Sequence, residues 1–117
     1  MPKVDPTNTR KIAKELGRTG QYDITWHAQV RANERNFDLA QVPKILEMGE
    51  RAELPTGVNE WVLDPKKLGS RSNYAMAVVT VPDYGVQIVK TVYWVEWTLW
   101  RWTQKTKRQP GGSHQWI

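Results

Sequence analysis

Two long apolar runs, NYAMAVVTV (residues 73–81) and VQIVKTVYWVEWTLW (residues 86–100), are separated only by the turn PDYG. Both runs are rich in β-branched and aromatic residues, which favour strands, and a short turn between two such runs favours a hairpin. The second run is apolar on both faces, which is typical of a strand inside a sheet. We therefore expect an interior strand over residues 86–100, with a bend or bulge near Glu96 because the run is too long to be flat.

The first half of the chain has helical periodicity. Residues 8–17 predict a short helix, and a second helix is predicted over residues 25–36 with Asp23 or Thr25 as its N-cap. A third helix is predicted over residues 38–49. The predicted apolar stripe of the second helix consists of Trp26, Val30 and Phe37.

Helices followed by strands are the pattern of an α+β fold. A further strand is predicted at about residues 60–64 (EWVLD), separated from the long runs by a polar turn. We predict that the N-terminal helices pack on one face of a twisted antiparallel β-sheet formed after residue 58, and that residues 1–117 form a single domain. The C-terminal stretch RQPGGSHQWI is expected to be loosely ordered.

Basic residues are concentrated toward the two ends of the chain, whose formal net charge is +5. Residues 99–117 carry four basic side chains and no acidic one, whereas residues 23–64 carry eight acidic and four basic side chains. Such a surface attracts phosphate polymers, although a charge that only keeps the protein soluble is the alternative. The sequence has no cysteine, and no stretch is apolar for long enough to predict a signal peptide or a membrane span, so we expect a soluble chain.

The stretch TWHAQVRANER (residues 25–35) places His27, Arg31 and Arg35 four residues apart. On a helix these positions form one stripe. Cations arranged in this way repel one another unless an anion lies over them, so the stripe is a candidate phosphate-binding surface. The alternative is a solvated helix face in which Arg35 pairs with Glu34 or Asp38.

The strand QIVKTVYW (residues 87–94) contains a lysine in an apolar row. By alternation, Lys90 shares a face with Val92 and Trp94, whereas Thr91 and Tyr93 point to the other face. The lysine either extends its charge from the edge of the sheet into water or marks a cleft in which the charge meets a phosphate.

Several short motifs follow one another in a defined order: DITWHAxxRxxERNF (residues 23–37), DLAQV, ILEMG and QIVKTVYW. Over residues 22–95 the sequence resembles a bacterial family that includes the BrnT toxins and is similar to the barnase, EndoU, colicin and RelE ribonuclease superfamily. That superfamily also supplies C-terminal toxin domains of contact-dependent inhibition proteins. The chain departs from the pattern with Asn33 for methionine, Asn36 for glycine, and Lys90 inserted before Thr91.

The resemblance implies a metal-independent endoribonuclease toxin without a cofactor, acting on RNA such as tRNA or ribosome-bound mRNA. In this chemistry the 2′-hydroxyl attacks the neighbouring phosphate, which requires a base, an acid and cations for the charge of the transition state. Histidine is the side-chain type whose charge changes near neutral pH, so His27 is the candidate general acid or base. The residues expected to hold the phosphate by charge or to orient it by a hydroxyl group are Arg31, Arg35, Lys90, Thr91 and Tyr93.

A ribonuclease toxin requires a neutraliser, so the resemblance also implies an acidic immunity or antitoxin protein as a partner, in addition to RNA, and no membrane. It implies action in the bacterial cytoplasm, with delivery as the C-terminal part of a larger secreted protein as one route. Two other classes remain open: a noncatalytic nucleic-acid-binding module, and a protein-interaction module. The second is favoured by the seven tryptophans, which are more than a small core needs.

Overall fold

The computed structural model describes residues 3–108, with side chains described to residue 104. Its strands are β1 (Tyr22–Ile24), β2 (Glu50–Glu53), β3 (Asn59–Leu63), β4 (Tyr74–Asp83) and β5 (Val86–Glu96). Its helices are α1 (Pro6–Arg18), α2 (Trp26–Glu34), α3 (Val42–Met48) and α4 (Trp97–Arg108), with 3-10 turns at Leu39–Gln41 and Pro65–Leu68. The α+β class is confirmed. The C-terminal stretch predicted to be loosely ordered begins at Arg108 and otherwise lies outside the described residues. No helix within residues 3–108 is both long and apolar enough to cross a membrane.

The hairpin of β4 and β5 forms the middle of the sheet. The strand order is β1-β5-β4-β3-β2, so β5 is interior, as its apolar sequence predicts. The turn between the two strands places Tyr84 (φ 48°) and Gly85 (φ 83°) in the left-handed region. Two consecutive residues in this conformation give the tight turn whose twist matches that of the flanking strands.

The sheet is mixed, so the predicted all-antiparallel pairing is wrong. β1 pairs with β5 in parallel, with Tyr22 opposite Gln87 and Ile24 opposite Val89. The other three strand pairs are antiparallel. The sequence predicts neither edge strand, because the three residues of β1 and the polar sequence ERAE of β2 carry too little alternation to indicate a strand.

A hydrophobic core lies on each face of the sheet. Helices α1–α3 cover one face, here called the front face, and the buried residues of its core include Ala28, Ala32, Phe37, Leu39, Val42, Ile45, Val78, Val89 and Val92. The core of the back face contains Ala52, Val62, Ala75, Ala77 and Trp100. Neighbouring residues of β4 alternate between the two cores because successive side chains of a strand point to opposite faces.

Helix α4 lies on the back face, where the sequence analysis predicts more strand. β5 ends at Glu96 and α4 begins at Trp97, so the predicted strand is wrong over residues 97–100. The carbonyl oxygen of Asn73 accepts from the Trp97 N–H at 2.7 Å. The side-chain oxygen of Asn73 accepts from the N–H of Thr98 at 3.3 Å and from its hydroxyl at 2.9 Å. These contacts satisfy N–H groups that have no partner inside the helix, so Asn73 determines where α4 begins.

The buried face of α2 is formed by small residues. Ala28 and Ala32 are fully buried against the sheet. The predicted apolar stripe is wrong at its first position, because Trp26 is 67% exposed, and Val30 is only half-buried. Of the two predicted N-caps, the structure has Thr25, whose hydroxyl accepts from the N–H of Ala28.

Candidate functional site

The start of α2 is fixed to β5 through Thr25. The Thr25 hydroxyl accepts from the Ala28 N–H at 3.1 Å and donates to the Val89 carbonyl oxygen at 3.0 Å, with the Lys90 carbonyl oxygen at 3.5 Å. The Thr25 N–H also donates to the Val89 carbonyl oxygen, at 3.3 Å. The first turn of α2, which carries His27, therefore lies beside residues 89–90 of β5.

Lys90 is the extra residue of a β-bulge. Val79 of β4 is paired with Thr91, and the next residue of β4 is paired with Val89, which leaves Lys90 without a partner on β4. The Lys90 side chain is exposed. The predicted apolar row that contains Lys90 is therefore wrong, because the bulge interrupts the alternation, and the irregularity predicted near Glu96 lies at Lys90 instead.

The His27 side chain is exposed at the start of α2. It has no hydrogen-bond or ion-pair partner among residues 3–104, whose side chains the structure describes, so the exposed imidazole is available to a ligand. The exposed Trp26 indole precedes it on the helix, and the exposed Lys90 lies on the neighbouring bulge. Trp26, His27 and Lys90 together are called the bulge surface.

The two arginines of the predicted stripe each have a partner within the chain. Arg31 Nη1 lies 2.6 Å from Glu34 Oε1 in a partly exposed ion pair. Arg35 Nη1 donates to the Val92 carbonyl oxygen at 2.7 Å, and the Arg35 carbonyl oxygen accepts from the Trp94 indole N–H at 2.8 Å. Arg35 thus joins the end of α2 to β5, and Glu34 pairs with Arg31 rather than with Arg35.

Thr91 and Tyr93 lie on the back face of the sheet, away from α2. Tyr93 packs against the back-face core, and its hydroxyl donates to Glu60 Oε2. The other oxygen of Glu60 accepts from the Trp100 indole N–H at 2.8 Å. Glu60 is only 8% exposed, so these two bonds satisfy a buried carboxyl group and hold α4 on the sheet. The structure therefore does not bring Thr91 or Tyr93 together with His27.

Nothing in the sequence singles out Glu60 as a buried residue. Within EWVLD the residue precedes three consecutive apolar residues, so no alternation indicates which face of the strand it takes. Its two hydrogen-bond donors come from β5 and α4, far along the chain. A sequence signal for its burial is therefore lacking, apart from the unusual number of tryptophans after residue 93.

A pocket of about 600 Å³ lies on the front face, where α2 ends. It is enclosed by the N-terminal segment before α1, by the segment between α2 and α3, by the loop between β3 and β4, and by β4 and β5. Its apolar lining includes Leu68, Met76 and Trp94. Its polar lining includes Asp5, Asn8, Asn36, Asp38 and Gln41. The sequence does not predict this pocket, because segments that are separate along the chain form it.

At the bulge surface a cation, an imidazole and an indole are all exposed near one helix start. Over the described part of the chain, no group of three or more His, Cys, Asp or Glu side chains is arranged to hold a metal ion. Comparison with models of protein families, with curated proteins and with solved structures finds no match for this chain.

Proposed function

We propose that the chain is a metal-independent endoribonuclease in which His27 is the general acid or base. The observation that carries the proposal is the bulge surface, where Thr25 fixes the start of α2 beside residues 89–90 of β5, and both His27 on the helix and Lys90 on the strand are exposed. A histidine and a lysine supply the proton-transfer group and the cation that this cleavage of RNA requires. The Trp26 indole adds an apolar surface on which an unpaired base can stack.

In the proposed reaction the 2′-oxygen of one nucleotide attacks the adjacent phosphorus. The 2′-hydroxyl loses its proton as the new P–O bond forms, and the 5′-oxygen of the next nucleotide gains a proton as its bond to phosphorus breaks. The products are a 2′,3′-cyclic phosphate and a 5′-hydroxyl. His27 performs one of the two proton transfers, and solvent water performs the other. Lys90 and Arg31 stabilise the negative charge on the phosphate oxygens.

The positions of the side chains narrow the set of residues proposed for this site. Thr91 and Tyr93 are on the back face, so we omit them. Arg35 donates one guanidinium N–H to the Val92 carbonyl oxygen. Because a guanidinium group has five N–H donors, Arg35 can keep this bond to β5 and also contact a phosphate. The proposed site consists of His27, Arg31, Arg35 and Lys90.

Two departures from the resembled family's pattern coincide with unusual backbone. Lys90, which is inserted relative to that pattern, is the bulge residue. Asn36, which stands where glycine is usual, has a φ of 52°, in the left-handed region that glycine adopts freely and asparagine tolerates. Both departures thus occur where the backbone accommodates them.

Cleavage of RNA by the purified chain tests the proposal. Bacterial RNA is incubated with the protein in EDTA, and new 5′-hydroxyl ends are mapped by sequencing. We expect cleavage that persists in EDTA and is lost in His27→Ala. Lys14→Ala, which removes an exposed cation from α1, is the control and should cleave like the wild type. Intact RNA after incubation with the wild type, or full cleavage by His27→Ala, would contradict the proposal.

A noncatalytic nucleic-acid-binding module is the second candidate. It is favoured by the 67% exposure of Trp26, which suits base stacking whether or not a bond is cut. Such a module would bind RNA through the bulge surface and leave it intact. Binding of RNA by the wild-type chain without any new 5′-hydroxyl ends would identify this candidate.

We further propose that an acidic partner protein covers the bulge surface and the arginines of α2. Carboxylates complement a cationic surface, speed association and exclude RNA from the same place. The proposed place of action is the bacterial cytoplasm. Delivery as part of a larger secreted protein is the route that the resemblance suggests.

A further inference from the structure

The pocket at the end of α2 has the size and composition of a binding site for a small organic group. Its volume of about 600 Å³ falls within the range of roughly 300–1,000 Å³ that is usual for ligand pockets. Leu68, Met76 and Trp94 line it together with amide and carboxylate groups. A lining of this kind suits a planar ring with polar edges better than it suits a lipid or an isolated ion.

Trp94 gives the pocket a fixed aromatic surface. Its indole N–H donates to the Arg35 carbonyl oxygen at 2.8 Å. Its ring packs against Phe37, with the ring centroids 5.7 Å apart and the planes at 60°. Phe37 is fully buried, so the indole is held by two contacts. A side chain held in this way loses little conformational freedom when a planar ring stacks on it.

Two carboxylates make the polar lining rich in acceptors. Asp5 accepts from the Thr7 N–H and Asp38 accepts from the Ala40 N–H, each through Oδ1 at 3.0 Å. Among residues 3–104, whose side chains the structure describes, no group donates to either Oδ2 atom, so each carboxylate keeps an oxygen for a ligand. Lys3 contributes the single positive charge of the lining. The pocket therefore disfavours a phosphate and favours a group that carries N–H donors.

Three amide side chains and the hydroxyl-bearing residues Ser70, Ser72 and Tyr74 complete the polar lining. Asn36 Oδ1 accepts from the Val4 N–H, which leaves the Asn36 NH₂ group as a donor. Asn8 and Gln41 form no side-chain hydrogen bond with the described residues. An amide presents a donor and an acceptor side by side, which is the arrangement that pairs with the edge of a nucleobase.

The pocket lies in line with the proposed catalytic site along α2. Arg31 and Arg35 follow His27 along the helix, and Asn36, the next residue, belongs to the pocket lining. Nine helical residues span about 13 Å, so an RNA strand that follows the arginines from His27 reaches the pocket within a few nucleotides. We propose that the pocket binds an unpaired nucleobase that carries an amino group, from a nucleotide close to the scissile phosphate. This inference rests on the proposed ribonuclease function.

Uracil is the base that the pocket should reject. Adenine, cytosine and guanine each carry an amino group that can donate to Asp5 or Asp38. Uracil keeps an N3–H donor but has a carbonyl oxygen where cytosine has its amino group, and that oxygen would face a carboxylate unfavourably. A site that distinguishes bases in this way determines which sequence is cut.

Titration with nucleosides, followed by NMR, tests the pocket without requiring catalysis. Adenosine, cytidine, guanosine and uridine are added separately to the full chain. The signals that report on the pocket are those of the Trp94 indole N–H and the Met76 methyl group. We expect the three amino-bearing nucleosides to shift both signals, and uridine to bind roughly tenfold more weakly than they do.

Two pocket variants identify the groups that read the base. Asp38→Asn keeps the side-chain oxygen that accepts from the Ala40 N–H, but it replaces the second carboxylate oxygen by an NH₂ donor. Gln41→Ala removes one amide group from the pocket lining. Each should weaken binding of the amino-bearing nucleosides roughly tenfold. Glu47→Gln, on the exposed side of α3, is the control and should bind like the wild type.

Binding of uridine as tight as that of adenosine would overturn the inference. Shifts confined to the bulge surface, or uptake of methylguanidinium in preference to every nucleoside, would also overturn it. RNA cleavage without nucleoside binding in the pocket would overturn the base-binding assignment and leave the proposed function intact. Nucleoside binding in the pocket without RNA cleavage would support the assignment of the pocket as a nucleobase site and would contradict the proposed ribonuclease function.

Discussion

The Thr25 hydroxyl donates to the Val89 carbonyl oxygen at 3.0 Å, across 64 positions of sequence. The same hydroxyl caps α2 by accepting from the Ala28 N–H. One side chain therefore determines both where α2 begins and where it lies on β5. Because His27 follows two residues later, the position of the proposed catalytic group depends on this contact.

Thr25→Val should lower the free energy of unfolding by about 1–2 kcal/mol, because valine keeps the shape of the side chain but loses the cap and the bond to β5. Thr25→Ser keeps the hydroxyl and is the matched control, with a smaller expected loss. Urea denaturation of both variants measures the difference. A valine variant as stable as the wild type would show that the bridge contributes nothing.

Lys90→Gln should weaken RNA binding and cleavage while changing the free energy of unfolding by less than about 0.5 kcal/mol, because the side chain is exposed. Loss of one phosphate contact should also reduce the slope of log affinity against log salt by about 1. RNA affinity measured at several salt concentrations checks this slope. Lys14→Gln is the control and should leave the slope unchanged. An unchanged slope for Lys90→Gln would show that Lys90 does not contact a phosphate of the RNA.

Tyr93→Phe should lower the free energy of unfolding by about 1–3 kcal/mol, because the buried carboxyl group of Glu60 loses one of its two donors. The rate of RNA cleavage per folded molecule should stay the same, since Tyr93 lies on the back face. A double-mutant cycle with Glu60→Gln should give a coupling of about 0.5–3 kcal/mol. A Tyr93→Phe protein that is folded but does not cleave RNA would show that Tyr93 takes part in the reaction.

Trp26→Ala should leave stability nearly unchanged, because the indole is 67% exposed. It should weaken binding of single-stranded RNA by about 1–3 kcal/mol, the usual contribution of one stacked base. Leu99→Ala, at an exposed position of α4, is the matched control. Equal RNA affinity of the two variants would show that the indole does not contact RNA.

Binding of the proposed acidic partner should weaken as salt is raised, mainly through slower association, because charge attraction accelerates the encounter. Stopped-flow association rates at several salt concentrations measure the effect. A basic partner, or one that leaves RNA cleavage unaffected, would contradict occlusion of the bulge surface by carboxylates.

Features whose signals lie within a few neighbouring residues are predictable from this sequence. The turn PDYG specifies the β4–β5 hairpin, and the apolar character of the second strand places it inside the sheet. Thr25 is one of the two predicted caps of α2, and the third helical segment begins after Asp38 as predicted. Turn geometry and capping depend on local hydrogen bonds, so the local sequence is sufficient to specify them.

The tertiary structure alone decided the features that depend on distant residues. They are the parallel pairing of β1 with β5, the bulge at Lys90, the start of α4 at the Asn73 cap, and the burial of Glu60 beneath Tyr93 and Trp100. Strand alternation by itself predicts an apolar row through Lys90, and only pairing with β4 shows that the lysine is an extra residue. The pocket at the end of α2 likewise exists only after separate segments have packed together. Which strands pair, and which face of a helix is buried, depend on contacts between residues that are distant in sequence. The conformational propensities of neighbouring residues carry no information about these contacts.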